Sequence, residues 1–227
     1  MSIRIGLYDF FAYTLPGVFY LLIALSGLAL FKYVLLDWTT FNSLSVYVAF
    51  LIIGAGYVVG LLMDAIAYRW LCLFYKRNSE TRRSALEIIQ RRYLWLQFDI
   101  QISEWPVLLH RIKSKSLEAA ADIEQHNVAS IMLRNVSLGL VIASIELLVY
   151  FLFTNRQGWV IILILGLTLL AILALRRSQT RRLWFYLGVF EAFVAHSLPI
   201  DEWFSQRIQK RSDILSKSQE PLTPSES

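Results

Sequence analysis

Glu146 is the residue best placed to do chemistry, because it lies near the middle of an apolar run from Val136 to Phe153 and is the one acidic residue in it. A helix of that length crosses most of a bilayer's roughly 30 Å hydrocarbon core at about 1.5 Å per residue. A charged carboxylate at that depth costs on the order of 2.5–3.5 kcal/mol, so it turns toward protein, water or a partner and away from lipid. Such a group can line a polar seam or pore. Protonated, it can instead hydrogen-bond to a neighbouring span, with Ser26, Tyr57 or Thr168 as candidate partners. Gly139, Ala143, Glu146 and Tyr150 follow one another at steps of four, three and four and share one helical face. That face is expected to point inward.

A membrane enzyme acting on lipids at the cytosolic face is the rival reading, and it needs acids, bases or metal ligands gathered at one depth. Asp64 ends a different apolar run and reads as a boundary acid near Arg69, roughly 12–15 Å in depth from Glu146 by helix rise. His110, His126 and His196 are scattered, and the single cysteine, Cys72, can form no intrachain disulfide. No zinc spacing, nucleophile motif or phosphate loop is present. The expectation is a non-catalytic protein that uses no cofactor and no metal.

These residues must be positioned by membrane helices. The chain of 227 residues is 56% hydrophobic and only 17% charged, well above the apolar share of a soluble domain. The fold predicted is an all-α membrane protein with four transmembrane helices. A helical cytosolic insertion separates spans two and three, and a C-terminal amphipathic helical region follows span four. Residues 1–75 form the first hairpin, with spans at about 15–36 and 44–63 joined by a polar turn from Asp37 to Ser43. Pro16 suits the first turn of span one, and the apolar run continues some ten residues past Ser26, as a retained anchor does and a cleaved signal does not. In span two, Gly56 and Gly60 share a face on which another helix can approach closely, within the bundle or in a homodimer.

Residues 76–130 make the insertion, with nine Lys or Arg against seven Asp or Glu. Ser84 and Glu87 match a capping box ahead of an apolar stripe at Leu86, Ile89, Tyr93 and Leu96. Trp105 and Pro106 open a second helix with Leu108, Leu109 and Ile112 on one side, and a third starts after Ser116 and runs on into span three. Arg82, Arg83, Arg91 and Arg92, near Tyr93 and Trp95, could hold phosphates and stack bases. A net charge of +2 over the insertion is too weak a field for nucleic acid, and the anionic headgroups of the bilayer are the expected partner.

The second hairpin covers residues 131–175, with spans at about 136–153 and 159–175 and Trp159 as an interfacial anchor. Residues 176–216 begin with Arg176, Arg177, Arg181 and Arg182, a cytosolic stop expected to meet headgroups or a protein partner. Leu183 to His196 is too short to span and reads as a helix in the interface or against the insertion. Ile200, Trp203, Phe204, Ile208 and Leu215 recur at helical spacing, and residues 217–227 are expected to be disordered. Of the 22 Lys and Arg, only Lys32 and Arg156 fall on the side opposite the insertion, which predicts both termini in the cytosol.

YDFFAYTLPGVFYLL (Tyr8–Leu22), the glycine-rich GAGYVVGLLMD (Gly54–Asp64) and the charged insertion leading into LRNVSLGL (Leu133–Leu140) resemble the layout of small bacterial four-span inner-membrane proteins. Some members of that group are encoded beside antiphage genes. The resemblance implies a bacterial inner-membrane protein, an effector or an anchor for a soluble partner. Glu146 and the charged cytosolic parts, read beside it, predict a non-catalytic homo-oligomer, an anchor or pore-like effector that engages a cytosolic protein.

Overall fold

The computed structural model describes residues 3–30, 46–75, 78–92, 102–153 and 157–197. Among them the chain is helical, in the order α1 (Ile3–Leu30), α2 (Val46–Phe74), α3 (Asn78–Arg92), a 3-10 turn (Ile102–Glu104), α4 (Trp105–Lys115), α5 (Leu117–Phe153) and α6 (Gly158–Ser197). Four of these, α1, α2, α5 and α6, are long and apolar enough to cross a membrane. Their relative directions alternate as four successive spans must. Tyr13 meets Gly60 and Gly17 meets Gly56, so α1 and α2 run antiparallel. Phe19 meets Gly139 and Gly27 meets Glu146, so α1 and α5 run parallel. Ser130 meets Ser178 and Ser137 meets Ala171, so α5 and α6 run antiparallel.

The long helices α5 and α6 have 37 and 40 residues, about 55 and 60 Å at 1.5 Å per residue. That is nearly twice the hydrocarbon thickness, so both project well beyond it. The projecting halves are amphipathic and close a second core with α3 and α4. Leu86, Ile89, Leu108, Ile112, Ile123 and Phe190 are among its buried members. Leu183 to Ser197 is therefore the continuation of α6, packed on α3 and α4, and no break follows the basic stop at Arg182.

Three local expectations shift. Pro16 lies inside α1, which starts at Ile3, because the amphipathic turn before Leu15 is already helical. Its missing N–H leaves one carbonyl of the preceding turn without its helical donor. Ser84 caps nothing: α3 begins at Asn78, and Glu87 pairs at 3.2 Å with Arg83 one turn back. The cap at α5 is Ser116, whose Oγ accepts the Ala119 N–H at 3.2 Å. Expectations for residues 31–45, for Tyr93, Trp95 and Leu96, for residues 154–156 and for everything from Leu198 onward fall outside the described residues.

Along α5, Ser130, Ser137 and Ser144 recur every seven residues on the side facing α6. Ser130 and Ser178 each donate to the other's carbonyl, at 3.0 and 2.8 Å, and Ser137 donates to the Ala171 carbonyl at 2.8 Å. Small side chains let the two backbones approach, and the hydroxyls hold them there. Because Ser178 is fully buried, Ser178→Val is expected to overpack the seam by about 1–3 kcal/mol, and Ser178→Ala to cost about 0.6 kcal/mol. Thermal unfolding of the two variants in detergent, measured side by side, checks the ranking.

Candidate functional site

The sequence stripe at Gly139 and Glu146 faces α1. A methyl at Gly139 would lie 2.7 Å from the Phe19 ring, and one at Gly27 would lie 3.1 Å from the Glu146 carboxylate. Glu146 therefore sits over Gly27, where the missing side chain makes room for it. Ala143 and Tyr150 are half-buried on the same helix. Two of the three proposed hydrogen-bond partners of Glu146 donate elsewhere. Ser26 donates to the Ile23 carbonyl at 2.8 Å, Thr168 to the Ile164 carbonyl at 2.7 Å, and Tyr57 packs on Phe10 and Tyr13.

Gly56 and Gly60 pack against α1 of the same chain. A methyl at Gly60 would fall 2.0 Å from the Tyr13 carbonyl oxygen, and one at Gly17 would fall 1.6 Å from the Gly56 oxygen. Gly17 completes the crossing and was not singled out from sequence, where it merely follows Pro16. Since α1 occupies this glycine face, a homodimer contact through it is excluded while the hairpin is closed.

The densest polar group lies where α1, α2 and α5 meet. Asp64 is bonded by Arg134, not by the neighbouring Arg69. Arg134 Nη2 donates to both carboxylate oxygens, at 2.8 and 2.7 Å, and its Nε adds a 3.1 Å bond. Asn135 Nδ2 donates to the same carboxylate at 2.9 Å, and the Tyr20 hydroxyl donates to the Asn135 carbonyl at 2.7 Å. The Asp64 and Arg134 side chains retain only 20% and 12% of their exposure, so this fork-shaped pair is largely desolvated. The signal for it was an acid closing one span and a base opening the next, separated by a long insertion. Sequence distance hid it.

Arg182 departs from its expected place at the headgroups. It is 4% exposed, and its two terminal nitrogens are buried without a hydrogen-bond partner. Its guanidinium lies 5.3 Å from the centre of the Tyr68 ring, and that of Arg134 lies 5.5 Å from the same ring. Leu175, Ser178, Arg182, Tyr186 and Val189 follow at helical steps and all are buried, so Arg182 lies on the apolar face of α6. That spacing was the readable clue.

The other arginines divide. Arg91, Arg176 and Arg177 are exposed. Arg83 pairs with Glu87, Arg92 with Glu191, and Arg82 lies over the Tyr186 ring. Arg181 donates to His126 Nδ1 at 3.0 Å, joining α6 to α5. His110 is exposed and Cys72 is half-buried with a free thiol. Among the described residues no three His, Cys, Asp or Glu side chains are grouped as metal ligands would be.

A groove of about 390 Å³ lies between the end of α2, α5 and α6, lined by Trp70, Phe74, Ile145, Leu148, Ile172 and Leu175 among others. Tyr75 adds one hydroxyl to the lining, and those of Ser144 and Thr168 are spent on carbonyls of their own helices. What remains is a surface for hydrocarbon. No protein-family model, curated protein or solved structure matches the chain, so its chemistry is read from this geometry alone.

Proposed function

We propose that the chain is a non-catalytic, homo-oligomeric inner-membrane anchor with both termini in the cytosol, which presents a helical platform to a cytosolic protein. The observation that carries this reading is the continuity of α5 and α6. Both leave the membrane zone unbroken and share a core with α3 and α4, so the platform is rigidly joined to the spans. The excess of Lys and Arg around that platform favours the cytosolic side. The anchor is preferred over a pore because Glu146 is seated against Gly27 of its own chain.

Two measurements test it. In a Cys72→Ser background, Gln157→Cys is expected to react with a membrane-impermeant maleimide in intact spheroplasts, and Ser114→Cys only after lysis. The reverse pattern would sink the assigned orientation. In liposomes at matched protein density, wild type and Glu146→Gln are expected to pass ions equally slowly. A flux that the substitution alters sharply would replace the anchor by a pore.

A further inference from the structure

The geometry points to a phosphate-binding site whose central ligand is Arg182, flanked by Arg134, at the junction of the membrane hairpins with the helical platform. A guanidinium is always charged and carries five donors, and removing it from water is unfavourable unless those donors are met. Both terminal nitrogens of Arg182 are buried and unmet. A ring face offsets a small part of the desolvation cost, but Tyr68 is shared with Arg134, a second cation. The carboxylate in this cluster, Asp64, is already filled by Arg134 and Asn135. No described carboxylate forms an ion pair with Arg182.

The cluster therefore holds two guanidinium groups against one carboxylate, and what it lacks is an anion. A phosphate suits it because the oxygens of one tetrahedral group match the parallel N–H bonds of an arginine fork. Around the Arg182 guanidinium lie Tyr68 and Cys72 of α2, Arg134 of α5 and Tyr186 of α6. A lipid headgroup and a free phosphate share this chemistry. The site stands whether or not the anchor reading is right.

The test uses the full chain, delipidated in a non-ionic maltoside detergent, with thermal unfolding as the readout. The probes are inorganic phosphate, phosphatidic acid and, as a lipid without phosphate, diacylglycerol. Phosphatidic acid is expected to raise the unfolding midpoint saturably and diacylglycerol to leave it unchanged. Arg182→Gln is expected to weaken the apparent affinity at least tenfold, while Arg176→Gln, at an exposed arginine, retains it. Arg182→Met keeps the packing of the stem without the charge. Without phosphate it should be at least as stable as wild type, and with phosphatidic acid wild type should overtake it. That crossing separates a binding site from a merely structural arginine. A parallel response to inorganic phosphate would make a free anion the ligand, and a response to phosphatidic acid alone would make it a headgroup. No response to either probe, an equal response to diacylglycerol, or a response that survives Arg182→Met would overturn the proposal.

Discussion

Asp64→Asn and Arg134→Met are each expected to destabilise the protein by about 3–5 kcal/mol, because removing one member of a buried ion pair leaves the other charged, desolvated and unmatched. In equilibrium terms this is at least a hundredfold shift toward the unfolded form, at about 1.4 kcal/mol per tenfold. The geometry places the pair at the upper end of such effects. Three donors from Arg134 and Asn135 converge on one carboxylate, and the Asn135 carbonyl is tied in turn to Tyr20, so the cluster joins α1, α2 and α5. The double variant Asp64→Leu, Arg134→Leu removes both charges together. It is expected to recover much of the lost stability, since a well-packed apolar pair often matches a buried ionic one. Unfolding in detergent titrated with dodecyl sulfate measures all three. If the single variants lose less than about 1 kcal/mol, the value of an exposed ion pair, the cluster is not desolvated as described.

Gly60→Leu and Gly17→Val are the second pair of large effects. Overpacking usually costs about 1–3 kcal/mol, but these sites should exceed that, because the atoms in the way are backbone. A methyl at Gly60 would stand 2.0 Å from the Tyr13 carbonyl oxygen, and one at Gly17 would stand 1.6 Å from the Gly56 oxygen. No rotamer change can clear either, so α1 and α2 must separate. The expected result is a hairpin that inserts but does not close, seen as loss of the folded fraction in detergent and as new protease sensitivity. Gly54→Ala and Gly166→Ala make the comparison fair, since a methyl at either position meets nothing within 4 Å. Both should retain wild-type stability, and Gly54→Ala should gain slightly in helix propensity. Similar losses at Gly54 and Gly60 would mean that α1 and α2 do not cross as described.

Composition and hydropathy pattern determined a great deal about this protein. Four apolar stretches, each near the bilayer thickness, dictate helices, because inside lipid every backbone N–H and C=O must be satisfied within its own segment. The same local logic predicted helices opening at Trp105 and after Ser116, and the close approach at Gly56 and Gly60. Local rules failed where two of them competed. Ser84 and Glu87 satisfy the capping pattern, yet the helix was free to start earlier at Asn78. Arg181 and Arg182 read as one basic stop, yet neighbours on a helix point about 100° apart. One reaches His126, while the other enters the core.

Only the tertiary structure decided which residues meet. The partner of Asp64 is 70 positions away, Glu146 rests on a glycine of the first helix, and the seven-residue serine stripe acquires meaning only once α6 lies along it. Hydropathy is a property of each segment and survives in the sequence as an average. Pairing depends on which faces of rigid helices are turned together, and one residue of register rotates a face by about 100°.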